Sequence, residues 1–131
     1  MSERFAWVLP GIIELIHAEQ LATHGGGAGL RDRGGLEAAI EHPRMAAHYD
    51  EGLDVVGVAA LYAHSLAKRH PFVDGNKRTA FAVALLFLKL NGRIVTASMD
   101  DRYDRMYALA AGTLSETEFA DWLRANTAPK E

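Results

Sequence analysis

The run His70-Pro71-Phe72-Val73-Asp74-Gly75-Asn76-Lys77-Arg78-Thr79-Ala80 holds an imidazole, a carboxylate, a glycine, an amide and two cations. A nearly all-apolar helical pattern follows at once. Histidine exchanges protons near pH 7 without tuning, so His70 is a candidate general base. Asp74 offers the hard oxygen ligands that magnesium shares with phosphates. Gly75 lets the backbone come close to a ligand, and Asn76 can cap the next helix and offer an amide donor. Lys77 and Arg78 suit phosphate oxygens, lysine as a point charge and arginine as a planar fork. Their position is the informative oddity. A helix start is partially positive and repels cations, yet its free N–H groups bind anions. The pattern therefore points to attack of a hydroxyl on phosphorus, with His70 taking the proton and the remaining groups supplying positioning and charge.

Taken singly, each feature has an ordinary meaning. A lone histidine is commonly structural or solvated. Asp74-Gly75-Asn76 is a turn with a good cap, and Lys77-Arg78 is a solvated charged face. Phe72 reads as a core anchor that pins the loop. The conjunction of five polar features at one helix start departs from these readings. Other features do not. The glycines of residues 25–29 fail the G-x-G-x-x-G spacing, follow no strand and read as a flexible connection. None of the six histidines lies in an H-E-x-x-H frame. His17 reads as packing or capping near the motif, Arg31-Asp32 as a turn or structural pair, and Trp7 and Trp122 as packing.

The elements that must position the motif follow from periodicity. Ile12, Ile13, Leu15, Ile16 and Leu21 give a helix over residues 11–23, with Pro10 at its start. Residues 24–35 carry six of the twelve glycines and form a loop. A short helix over 36–41 closes before Pro43, and residues 44–53 read as loop or a small flap. Asp54 caps a helix running to Arg69. The segment 77–90 is apolar nearly all round, as buried central helices are, and Asn91-Gly92 ends it. Residues 94–96 are a short extended link. Helices over 100–111 and 115–126 follow, the second opened by a Ser115/Glu118 capping box, and Pro129 marks a frayed tail. The expectation is an all-α, single-domain bundle over residues 1–131, around a buried central helix.

Composition narrows the function. The chain has 131 residues, 49% of them apolar, enough for a core. The net charge of −3 gives no general pull toward nucleic acid. The absence of cysteine excludes disulfides, thiolate catalysis and thiolate zinc sites. Glu3, Arg4 and Trp7 interrupt any leader-like run, and the longest apolar run, residues 80–88, is far short of the roughly 20 residues that span a bilayer. A cytosolic protein with no membrane partner is expected.

The segment HPFVDGNKRTA resembles the signature of the Fic/Doc superfamily, and within it the Doc (death-on-curing) toxins. Gly29-Leu30-Arg31-Asp32, Leu36-Glu37-Ala38-Ala39-Ile40, His17 after Ile16, and LFLKLNG (residues 86–92) extend the resemblance over nearly the whole chain. It implies a compact helical bundle around the motif helix. Fic enzymes transfer AMP from ATP to a hydroxyl and usually read H-x-F-x-[DE]-G-N-G-R-x-x-R. Here Lys77 replaces the second glycine, and Phe81 stands where the second arginine belongs. Both departures are those of Doc. Doc acts as a protein kinase on translation elongation factor Tu, with the nucleotide reversed, and so halts translation.

By that resemblance His70 is the general base, and Asp74 binds Mg2+ or orients the base. Gly75, Asn76 and Lys77 form the phosphate-binding loop for ATP, Arg78 contacts the nucleotide phosphates or supports the loop, and the Thr79 hydroxyl adds a ligand contact or makes a structural bond. The [ST]-x-x-x-E-[GN] pattern of an inhibitory helix has no complete match; Thr127 and Glu131 have the spacing, where the given sequence stops. The resemblance thus implies an inhibitor in trans, a Phd-like antitoxin whose helix folds into a groove. The antitoxin, rather than this chain, would contact DNA. The alternatives are an AMP transferase using the same base, and a catalytically idle, antitoxin-binding subunit.

Overall fold

The computed structural model describes residues 4–131; Glu3, part of the charged pair read at the chain start, lies outside them. The described residues form α1 (Pro10–His24), α2 (Arg33–Tyr49), α3 (Val55–Arg69), α4 (Asn76–Leu90), β1 (Arg93–Val95), α5 (Met99–Ala111), α6 (Glu116–Ala125) and β2 (Thr127–Pro129). The helical bundle is as the sequence implies. No helix among the described residues is long and apolar enough to cross a membrane.

The helix at the centre is α3 rather than the 77–90 segment. Its residues from Val56 to Ala63 are all buried, as are Ser65, Leu66 and Ala67. Gly57, Ala59, Ala60, Ala63 and Ala67 keep it thin, which lets α2, α4 and α6 pack closely against it. Asp54 caps it as expected, its Oδ1 accepting from Gly57 N–H at 2.8 Å. By contrast α4 is buried on one face, through Thr79, Ala80, Val83, Ala84, Phe87 and Leu88. Its second apolar face, with Phe81, Ala82 and Leu85, lines an open cleft. An all-apolar pattern cannot distinguish a second core contact from a cleft wall. Tyr62 and Phe87 join α3 to α4 with ring centroids 5.2 Å apart, and Trp7 packs on both.

Two boundaries differ from the sequence reading. Helix α2 does not stop before Pro43 but continues to Tyr49. Its buried residues Leu36, Ala39, Ile40, Pro43 and Ala47 make one face, so Pro43 itself carries the stripe against α3. Packing of that face outweighs the ladder bond a proline removes. The expected frayed tail is paired: β2 runs antiparallel to β1 with Arg93 opposite Pro129 and Val95 opposite Thr127. Proline is tolerated there because it sits at a sheet edge. The capping box on α6 forms in full, Glu118 N–H to Ser115 Oγ at 3.0 Å and Ser115 N–H to Glu118 Oε1 at 2.9 Å.

Candidate active site

The motif loop connects the end of α3 to the start of α4. Phe72 is 3% exposed and is the expected anchor. The His17 ring stacks on it at 3.8 Å between centroids and 8° between planes. His17 Nε2 lies 2.8 Å from the Asp74 carbonyl, so that nitrogen carries the proton and donates. His17 is therefore packing and brace for the loop.

Asn76 does not cap α4. Gly75 occupies the cap position in the left-handed region (φ 76°), and no side chain caps the helix. The Asn76 amide instead grips Phe72 on both sides, accepting its N–H at 3.0 Å and donating to its carbonyl at 2.9 Å. As the first residue of the helix, Asn76 is already past the position from which a side chain reaches the free donors. The consequence is useful for a ligand. The N–H groups of Asn76, Lys77 and Arg78 have no partner among the described residues, the first internal bond being Thr79 N–H to Gly75 carbonyl.

Asp74 is exposed beside this turn. Its Oδ1 accepts from Gly75 N–H at 2.8 Å and its Oδ2 from Gly27 N–H at 3.4 Å. These two N–H groups, with smaller help from Arg78 and His17, hold its carboxyl below the usual range, so it is ionised at neutral pH. The glycine-rich loop is thus more than a connection. A Cβ at Gly26, where φ is +123°, would lie 2.8 Å from Asp74 Oδ2. Only glycine allows that approach.

The two cations part company. Arg78 folds over Gly75, its Nη2 donating to the Gly25 carbonyl at 3.1 Å. Lys77 leans the other way, its Nζ 4.8 Å from the centroid of the Tyr107 ring on α5. Both line a cleft of about 590 Å³ between α1, α4 and α5, together with Phe81, Leu85, Met99 and Tyr103. Thr79 belongs to the core instead: it is fully buried, and among the described residues its Oγ1 has no partner. Its place on the buried face of α4 turns the hydroxyl away from the open cleft, and the structural bond is not formed among the described residues.

His70 closes α3 in the left-handed region, with φ 47° and ψ 55°, and is exposed. Among the described residues it alone, glycines aside, has a positive φ. That conformation costs an L-residue about 1–2 kcal/mol. The turn before α2 surrounds it. Leu30 bridges Phe72, the Val73 N–H donates to the Gly29 carbonyl, and Arg31 donates to two carbonyls at the end of α3. Asp32 caps α2 through Gly35 N–H. The Arg31-Asp32 pair is structural, as its composition suggests. The side-chain partner of Asp32 is three residues away, whereas those of Arg31 lie about forty residues on and carry no local signal.

Asp74 is one carboxylate, and no three His, Asp or Glu side chains among the described residues gather to hold a metal alone. Its charge, exposure and place beside a turn of unpartnered N–H groups fit a magnesium ion, a hard cation that takes oxygen ligands.

Comparison with known proteins agrees with this geometry. A family model described as the Fic/DOC family matches residues 7–88. "Protein kinase doc" of Escherichia phage P1 is 36% identical over 117 residues, 89% of this chain and 92% of that protein. "Toxin Doc" of Mycolicibacterium smegmatis is 41% identical over 80 residues, 58% of this chain and 59% of that protein. With the motif loop, the helix that follows it and the surrounding bundle all in place, the chain belongs to the Fic/Doc family.

Proposed function

We propose that this chain is the toxin of a toxin–antitoxin pair, and that it is an ATP-dependent protein phosphotransferase acting on a Ser or Thr hydroxyl of translation elongation factor Tu. The observation that carries the reading is the start of α4. Three unpartnered N–H groups, the Arg78 guanidinium and the ionised Asp74 converge on one turn, with His70 at the far end of the same short loop. The names borne by the phage and mycobacterial relatives, a protein kinase and a toxin, support it.

His70 accepts the proton of the target hydroxyl as that oxygen bonds to the γ-phosphorus. The bond between the γ-phosphorus and its bridging oxygen breaks, and ADP leaves with the electron pair. Arg78 and the free N–H groups hold phosphate oxygens in the position where negative charge gathers. Lys77 leaves Tyr107 to add a second positive charge. Asp74 would hold a magnesium ion, which would supply further charge neutralisation. Phe81 favours this reading over AMP transfer, because it presents an apolar ring to the cleft where the AMP-transferring pattern has an arginine.

The inhibitor is a Phd-like antitoxin whose helix lies in the cleft. Met99 and Tyr103 stand 75% and 69% exposed along its α5 wall, beside Phe81 and Leu85, while Lys77, Arg78 and Arg102 supply charge for acidic side chains.

The test is the intact mass of purified elongation factor Tu after incubation with this chain and Mg-ATP, with His70→Ala as control. A phosphate-sized gain that disappears in the variant is expected. An AMP-sized gain would reassign the reaction to adenylyl transfer, and an unchanged mass would remove elongation factor Tu as the target.

A further inference from the structure

The conformation of His70 is imposed from outside its own helix. The residue before a proline is pushed toward extended backbone, and His70 precedes Pro71. Left to local preference, α3 would end in an extended His70. It ends instead in the left-handed region, and the contacts that hold it there come from one turn. Arg31 Nε donates to the His70 carbonyl at 2.7 Å, and Arg31 Nη2 donates to the Arg69 carbonyl at 2.8 Å. The backbone N–H groups of Arg31 and Asp32 both donate to the Pro71 carbonyl, at 2.8 and 2.9 Å. Three successive carbonyls, 69 to 71, are thereby fixed by residues 31 and 32. A helix C-terminus leaves such carbonyls without internal partners and carries partial negative charge, so a guanidinium is well matched to it. Arg31 forms no ion pair among the described residues. Its charge and two of its donors are spent on this helix end. A planar fork also fixes the directions of both bonds, which a lysine cannot do.

We propose that Arg31 is the positioning residue for His70: its guanidinium clamps the end of α3 so that His70 is held left-handed, with its imidazole aimed at the reacting hydroxyl. The catalytic part of this statement rests on the phosphotransferase reading; the clamp itself does not. The first measurement is therefore stability. Glycine adopts the left-handed conformation at no steric cost. If Arg31 imposes the strain, His70→Gly raises the melting temperature of the otherwise natural chain by about 3–5 °C. In an Arg31→Ala background the histidine relaxes, and the same substitution gains less than half as much. Equal gains in both backgrounds would overturn the clamp, as would a fall in melting temperature for His70→Gly alone. Should Arg31→Ala not fold, Arg31→Lys gives the second background, since lysine can satisfy one carbonyl but not both in the fork geometry.

The second measurement is kinetic. With elongation factor Tu phosphorylation as readout, Arg31→Ala lowers kcat by about 10- to 100-fold, the scale of a displaced catalytic group. The KM for ATP stays within about two-fold, and added guanidinium restores part of kcat. A raised KM with unchanged kcat would make Arg31 a nucleotide contact and refute the positioning role. If the natural chain phosphorylates nothing, the phosphotransferase reading falls while the stability comparison still decides the clamp.

Discussion

Asn76→Ala separates the two roles its position allows, ligand of a phosphate and brace of the loop. The amide makes both of its bonds to Phe72, at 3.0 and 2.9 Å, and Phe72 is 3% exposed. Each such bond contributes about 0.5–1.5 kcal/mol net, and a partner left unsatisfied in a buried place costs about 1–3 kcal/mol. Water can reach part of the site, because Asn76 is only half-buried. The loss therefore lies near 2–3 kcal/mol, a fall of roughly 6–12 °C in melting temperature for a chain of this size. The assay is urea denaturation followed by circular dichroism, where the midpoint moves and the slope does not. Asn76→Asp is no remedy, since a carboxylate oxygen would then face the Phe72 carbonyl in place of a donor. The reasoning is refuted if Asn76→Ala keeps its midpoint and shows only a raised KM for ATP, because the amide would then serve the nucleotide.

Other consequences are more local. Gly26→Ala places a methyl 2.8 Å from Asp74 Oδ2 at a φ of +123°; it displaces the carboxylate and weakens magnesium-dependent nucleotide binding at least ten-fold, measured by titration with and without the metal. Arg124, through its hydrogen bonds first, holds the Asp54 carboxyl below its usual range. The depressed carboxyl stabilises the fold above about pH 4, and that contribution is lost as pH falls through the folded-state value. Asp54→Asn keeps a cap but loses the pair, which is about half exposed, so it costs under about 1 kcal/mol at pH 7; the gap between the two melting curves closes in acid, and a gap that persists at about pH 2 would contradict the assignment. Lys77→Glu exchanges a repelled cation for an attracted anion at a helix start, which is worth about 0.5–1 kcal/mol after loss of the Tyr107 contact. Its melting temperature should rise slightly while ATP binding is abolished, and a drop in both would show that the ring contact dominates.

The legible parts of the fold are those with local causes. Asp54 and the Ser115/Glu118 box announce their helices because a cap satisfies donors three residues away. Helix α3 is legible by its period, but its rank as the central helix is not, since alanines look weakly apolar on paper and become decisive only when neighbours close on them. The extent of α2 is hidden by Pro43, whose burial against α3 no local rule contains. In the site, the residue types of the motif marked where the site lies, while their orientations were set by partners that no periodicity announces. Asn76 turned back to Phe72, Lys77 turned to Tyr107, and Asp74 was met by Gly27. The Arg31 contacts join the residues of one loop to another about forty positions away, a pairing invisible to any periodicity.

The charges at the start of α4 explain why these distant partners exist. Two cations there oppose the helix dipole, each by roughly 0.3–1 kcal/mol. An acidic neighbour would be the simplest relief, and neither cation has an ion pair among the described residues. Arg78 rests instead on the Gly25 carbonyl, and Lys77 on the face of Tyr107. Both supports are dipolar or quadrupolar; they hold the side chains without cancelling their charge. Asp74 is the exception that keeps the balance, since its carboxylate is already engaged by two N–H groups and stays available to a cation. The protein thus retains a positive helix start beside a negative carboxylate oxygen, at some expense in stability. Stored strain at His70 has the same character. A fold selected for stability alone would have glycine at position 70 and an acid at position 77, and what departs from that design is the motif to which the proposed phosphate chemistry is assigned.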